Sequence, residues 1–318
     1  MTTYLVTGGA GFIGSHIVRE LVHRGENVRV VDNFLTGSRE NLSDVSSDIE
    51  LIEGDIRDLE LMQRVMKKAD YCLHQAALPS VPRSVEDPIL ANDININGTL
   101  NVLVAARDAG VKRFVYASSS SVYGNSPVLP KQEDMPVMPL SPYAIGKLAG
   151  EFYARSFHSL YGLPTASLRY FNVFGPGQRP DSPYAAVVPI FMAAMVKDKP
   201  PTVHGDGGQS RDFCYVDNVV SANLLACSAP AEQVAGKVFN VACGERYTIN
   251  DLVRHLNEIF GTDIKPLQGP ARAGDVRDSL ADISHARRDL KYEPTVKFAE
   301  GLTRTVEWFR KKSTVKVE

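Results

Sequence analysis

The 318-residue chain carries almost no net charge: 35 Lys and Arg stand against 37 Asp and Glu, a formal charge of −2. That balance leaves no electrostatic footprint for nucleic acid or an anionic membrane, so an anionic ligand has to be held by local groups. Cysteine is scarce. Cys72, Cys214, Cys227 and Cys243 show neither C-x-x-C spacing nor a His/Cys cluster, which argues against disulfides and zinc. There is no long apolar stretch, no basic leader before Thr2-Thr-Tyr-Leu-Val-Thr-Gly8, no repeat and no low-complexity tract. Neither a signal peptide nor a membrane span is expected, and the expectation is a soluble cytoplasmic protein. What is present is 44% hydrophobic and 23% charged residues, an ordinary globular profile. The length suggests two domains, or one with a sizeable appendage.

Short apolar runs alternate with helical patterns through the first half. Tyr4–Thr7, Asn27–Val31, Ile49–Glu53, Tyr71–Gln75, Phe114–Ser118 and Thr165–Tyr170 read as buried strands. Ile13–Arg24, Asp58–Lys68, Asn92–Ala109 and Pro142–Tyr161 read as helices between or after them. The rhythm predicts an α/β fold with a doubly wound parallel sheet. After Gly175-Pro-Gly177 the pattern loosens, and a second, smaller domain is expected, with residues 1–172 as the nucleotide-binding part and 173–318 as the rest. Lys237–Val241 is apolar enough to rejoin the first sheet.

Thr7-Gly-Gly-Ala-Gly-Phe-Ile-Gly14 follows the first strand and opens a helix. Gly8, Gly11 and Gly14 permit a tight turn and close approach of backbone to a pyrophosphate resting on the helix N-terminus. Asp32 ends the second strand, where an acid hydrogen-bonds the adenosine ribose. Asn33 follows, and no Arg suited to a 2′-phosphate is near, which favours NAD over NADP. Four serines, 118 to 121, emerge at the C-terminal end of the fifth strand, the edge where open α/β sheets bind ligands. Ser141-Pro142 supplies a helix cap and first turn, placing Tyr143 near that edge. Lys147, four residues on, shares its face, and an ammonium there favours the phenolate of a general base.

Taken together, the chain resembles extended short-chain dehydrogenases/reductases, and among them NAD-dependent nucleotide-sugar epimerases, over almost its whole length. The likeness runs through the glycine fingerprint, Gly54-Asp-Ile-Arg57, His74-Gln-Ala-Ala77, Asn95-Ile-Asn-Gly98, the serine run, Tyr143/Lys147, Arg169-Tyr-Phe-Asn-Val-Phe-Gly175, Ser210-Arg-Asp-Phe213 and Arg272-Ala-Gly-Asp275. It implies a Rossmann domain and a smaller α/β domain that binds a UDP-sugar. It further implies that Tyr143 is the general base, Lys147 its partner on the nicotinamide ribose, and Ser119 the serine bonding the reacting hydroxyl. Gly8, Gly11, Phe12, Ile13, Asp32, Asn33, Asp55, Ile56, Gln75, Ala76 and Asn95 fall at cofactor positions. Ser120, Ser121, Asn172, Val188, Arg211, Arg272, Asp275 and Ser279 fall on the substrate side, the arginines suiting phosphate oxygens.

Related dehydratases place Asp-Glu after the residue matching Ser119, and decarboxylating relatives keep a Glu two residues after it. This chain has Ser120 and Ser121. Epimerisation at sugar C4 requires neither acid, since the cofactor carries the redox chemistry. A small residue at Ser279 goes with acceptance of UDP-N-acetylglucosamine and UDP-N-acetylgalactosamine, with UDP-glucose beside them. UDP-glucuronate 4-epimerases are the main enzymatic rival, and an inactive NAD-binding sensor or scaffold is the reading from another class. The resemblance also implies a homodimer through a four-helix bundle built from Asn97–Ala109 and Ala144–Tyr161. The alternative is that both helices simply pack on the sheet.

Overall fold

The structure, a computed structural model, describes residues 1–180, 186–271 and 277–314. In chain order the elements are β1 (Thr3–Thr7), α1 (Phe12–His23), β2 (Asn27–Asp32), β3 (Ile49–Glu53), α2 (Leu59–Met66), β4 (Tyr71–His74), α3 (Val81–Glu86), α4 (Pro88–Asn92), α5 (Thr99–Ala109), β5 (Arg113–Ser119), α6 (Pro142–Tyr161) and β6 (Thr165–Tyr170). There follow β7 (Val173–Phe174), α7 (Val187–Met195), β8 (Thr202–His204), β9 (Ser210–Arg211), β10 (Cys214–Tyr215), α8 (Val216–Ser228), α9 (Ala231–Val234), β11 (Lys237–Val241), β12 (Tyr247–Thr248), α10 (Ile249–Phe260), β13 (Leu267–Gly269) and α11 (Phe298–Thr314).

Seven strands form one parallel sheet in the order β11-β6-β5-β4-β1-β2-β3. The reversal of direction beside β1 is the topological switch of a doubly wound fold, at whose strand ends ligands bind. The six strands read from the sequence fall within a residue of those observed, and Lys237–Val241 does pair with β6. Central strands such as β6 are buried along their whole length, which explains their continuous apolar character. Two apolar clusters, one on each side of the sheet, hold α1 and α8 or α2 and α5 in place. A third gathers Phe174, Phe191, Phe213 and Phe298 around α7, α10 and α11. None of the helices among the described residues is long and apolar enough to cross a membrane.

One helix differs from expectation. Asn92–Ala109 is not a single α-helix: α4 leads into a π-helical segment, Asp93–Gly98, before α5. Within it Asn95 accepts from the N–H of Leu78 at 2.8 Å and donates to its carbonyl at 3.3 Å. A widened turn of this kind exchanges regular helix bonds for a side-chain clamp on the loop after β4. Helix α6 starts as the sequence indicates, with Ser141 Oγ accepting from Ala144 N–H at 3.2 Å and Pro142 at its first position. Gly150 on its inner face could not be alanine without a shift, because a Cβ would lie 2.3 Å from Tyr116 Oη. That glycine brings α6 down onto β5 despite its helix cost of about 1 kcal/mol.

Candidate active site

A cleft of about 620 Å³ opens where β1, β2, β3, β4 and β5 end. Its floor is the turn after β1. Gly8 takes φ +68°, and a Cβ there would lie 2.6 Å from Ala76 N; a Cβ on Gly14 would lie 2.2 Å from Gly8 O. Gly11, Phe12 and Ile13 line the cleft where α1 begins. Asp32 stands at the end of β2 with its carboxylate accepting from Ala10 N–H at 2.9 Å and Phe34 N–H at 2.8 Å. Burial raises its pKa, and those two amides pull it back. Asn33 donates to Asp55 at 2.7 Å, while the Arg57 guanidinium holds Asp55 down at about 2. Ile56 lines the wall beside Asp55. Arg39 lies over the Phe34 ring and pairs with Glu53, so its charge is engaged outside the cleft lining.

Gln75 and Ala76 border the cleft after β4. The Gln75 amide is fixed by Asn223 at 3.0 Å and by the Tyr170 hydroxyl, which donates to it at 3.1 Å. Asn95 is not brought to the lining: it is buried and committed to Leu78, supporting the wall from behind.

At the other end Tyr143 and Lys147 project from the first turns of α6 into the cleft. The Tyr143 N–H donates to Ser84 Oγ at 3.0 Å, and the Ser119 hydroxyl acts on its phenol, lowering its pKa. Lys147 Nζ donates to the carbonyl of Ala117 at 2.7 Å and lies 5.9 Å from the Tyr143 ring centroid. The expected depression of the tyrosine pKa by the ammonium is not what the geometry gives. Burial raises the Tyr143 pKa, and the Ser119 hydroxyl is the group that offsets it. Lys147 is desolvated in the same place and is itself lowered to about 7, which weakens it as a permanent cation. Ser119 also caps the short turn Ser120–Tyr123, its Oγ accepting from Ser121 N–H at 3.2 Å. Ser120 is half-buried in that turn, and Ser121 Oγ is buried with no hydrogen-bond partner. Gln178 Oε1, on the cleft wall, is likewise buried and unpartnered.

A second cavity of about 420 Å³ adjoins the first, Ala186 bordering both. It gathers Asn172, Val188 and Arg211 with the aromatic rings of Phe174, Phe191 and Phe213. Asn172, at φ +30°, donates to Asp212 O at 3.3 Å and reaches Ser279 Oγ at 3.5 Å, which brings Ser279 beside this group. Arg272, Asp275 and the stretch around Tyr184 lie outside the described residues.

The sequence reading missed several residues that shape this site. Glu151 accepts from Ser118 Oγ and pairs with Arg169 at 2.8 Å, both acid and base nearly fully buried. Arg83 and Arg179 line the cleft as well. Glu151 was findable, standing one turn beyond Lys147 on the same face.

Residues 4–242 match the model of the NAD dependent epimerase/dehydratase family. The chain belongs to this family. It is 41% identical over 313 residues to a UDP-glucose 4-epimerase of Mycolicibacterium smegmatis, covering 97% of this chain and 99% of that one. It is 36% identical over 320 residues to a UDP-glucuronate 4-epimerase of Thermodesulfobacterium geofontis, covering 97% and 96%. Among solved structures it is similar to a UDP-N-acetylglucosamine 4-epimerase from Methanobrevibacter ruminantium in complex with UDP-N-acetylmuramic acid. That likeness has a TM-score of 0.93 at 40% identity, covering 98% of this chain and 99% of the other.

The family's NAD fits the cleft on the chain's own terms. Glycine turns that a Cβ would fill leave backbone N–H groups open to a pyrophosphate at the start of α1. Asp32 keeps lone pairs for ribose hydroxyls, and no unpaired arginine stands by it to welcome a 2′-phosphate among the described lining residues.

Proposed function

We propose that this epimerase/dehydratase family member is a UDP-sugar 4-epimerase that interconverts UDP-N-acetylglucosamine and UDP-N-acetylgalactosamine and also accepts UDP-glucose and UDP-galactose. The observation that carries this reading is a catalytic end holding Tyr143, Lys147 and Ser119 with no carboxylate among its described lining residues, the nearby Glu151 being buried behind Ser118 and paired with Arg169. Among the described lining residues the acids are Asp32 and Asp55, both at the ends of β2 and β3. Water removal and decarboxylation need an acid beside Ser119; C4 epimerisation does not.

Bound NAD supplies the reversible oxidation of the sugar carbon. Tyr143 takes the C4 hydroxyl proton and returns it, with Ser119 holding that oxygen in line. Lys147, anchored on Ala117 O, sets the electrostatics beside the phenol. The 4-keto sugar turns in a cleft that grips its nucleotide elsewhere, so affinity comes from remote contacts while the reacting ring stays mobile. In this reading residues 173–318 supply most of that grip, Val188 and Arg211 lining the second cavity beside Asn172, which ends the first part, with Arg272 and Asp275 further along the chain. Ser279, small and beside Asn172, leaves room for an N-acetyl group.

Incubation with UDP-N-acetylglucosamine is expected to yield UDP-N-acetylgalactosamine. Protein shown to carry NAD that gives no conversion would end this reading. A second reading, UDP-glucuronate 4-epimerase, gains support from Arg83 and Arg179 in the cleft wall, cations able to face a C6 carboxylate. A panel with UDP-glucuronate on the same preparation ranks the two. The convergence of Ser119 and Tyr143 speaks against a scaffold that has lost catalysis.

A further inference from the structure

Asp212 lies between two residues of the second cavity, Arg211 and Phe213, yet its own carboxylate faces away from it and is fully buried. Among the described residues it has no cation for a partner. Instead Oδ1 accepts from Cys243 N–H at 2.9 Å, and Oδ2 accepts from Gly244 N–H at 3.0 Å and Ala281 N–H at 3.2 Å. One side chain thus ties three chain segments: the β9–β10 link, the loop after β11, and the stretch that runs on from Ser279. The segments are joined along their length as well. Ser279 N–H donates to Ser210 O at 3.1 Å, and Ser210 Oγ donates to Asp278 at 2.5 Å. Arg211 donates to the carbonyls of Ser210 and Arg277, and Asn172 donates to the Asp212 carbonyl. A buried carboxylate that satisfies three distant amides costs desolvation, and that cost is incurred here beside residues read as substrate contacts.

We propose that Asp212 is a positioning residue for nucleotide-sugar binding, its carboxylate fixing where Arg211, Asn172 and Ser279 stand relative to one another. The inference rests on the reading of that cavity as the UDP-sugar site. An amide in its place has one oxygen and one NH2, so at least one backbone N–H meets a donor and its segment is released. Among the described residues the titratable groups around Asp212 are Cys214, Tyr292 and Glu245, the last paired with Lys297 at 2.7 Å. Burial among them pushes the Asp212 pKa up to about 7. Protonation removes acceptor capacity, so the clamp weakens as pH falls through that value.

The test is UDP-N-acetylglucosamine binding and turnover by NAD-loaded Asp212→Asn. Kd and KM are expected to rise about tenfold, with NAD content unchanged and kcat at saturation within about twofold. Kd and KM within twofold of wild type in folded protein, or a fall in kcat alone, overturns the proposal. Should the variant not fold, wild-type Kd between pH 8.5 and 6 decides. The diester pyrophosphate of this ligand does not titrate there. Binding that weakens several-fold as pH falls supports the clamp; flat or tightening binding overturns it. If wild type does not bind the nucleotide sugar at all, the cavity reading fails and this inference falls with it.

Discussion

Lys147 shows how burial decides a residue's chemistry. The spacing to Tyr143 was legible because both lie on one helix face, but the consequence of enclosing the amine was not. Its pKa falls to about 7 from an ordinary 10.5 through desolvation. Between those values the unfolded chain holds a proton that the folded chain does not, so this group's contribution to stability rises with pH across that window. Lys147→Met removes that dependence. The melting temperature of wild type relative to the variant is expected to climb from pH 7 to pH 10, by an amount on the order of a few kcal/mol in free energy. A difference that stays constant with pH would rule out a neutral buried amine. Asn95 teaches the converse: its motif was legible, but the π-helical turn that aims it at Leu78 depends on packing outside the motif.

The elements that carry the site are held by ties between segments remote in sequence. Strand β5 presents Ser119, and α6 presents Tyr143 and Lys147. Three contacts fix the two elements together: Lys147 on Ala117 O, Gly150 under Tyr116, and Ser118 on Glu151. Ser118 and Arg169 are register neighbours on β5 and β6, and both hold Glu151 from the sheet. Arg169 also lies 4.6 Å over the Tyr123 ring, so it braces the serine turn from its far side. The strands, the glycine turn and the Tyr/Lys pair were readable because each is a local pattern. This buried network was not, since its members come from positions 118, 151 and 169. Ser118→Ala is expected to lower kcat about tenfold, near 1.4 kcal/mol, with KM unchanged and a melting point a few degrees lower. An unchanged kcat would leave Ser118 with a purely structural part. Glu151→Ala strands a buried guanidinium, at a cost of about 3–5 kcal/mol, and its main effect is expected on folding itself.

For the whole molecule, the open question is what covers an apolar face. The two helices that the resemblance pairs in a four-helix bundle, Asn97–Ala109 and Ala144–Tyr161, carry the apolar residues Leu100, Val104, Phe152 and Phe157. Leu100 and Val104 pack against the core and Phe157 is buried, so only Phe152 of the four is exposed. Four exposed apolar side chains stand on neighbouring helices instead: Val85 on α3, Ile89 on α4, and Ile145 and Phe152 on α6. Ile89 is 81% exposed and Phe152 54%, high values for large side chains on adjoining elements. A patch of this kind on a globular protein marks an association surface, and a two-fold contact would place each α6 against its partner. A homodimer centred on α6, with α3 and α4 contributing more than α5, is therefore the expected state. Light scattering coupled to gel filtration should give twice the 34.8 kDa chain mass. Phe152→Glu should shift it to the single-chain mass with helical content retained. Monomeric elution of wild type at micromolar concentration would leave this face without a second copy of the chain to cover it.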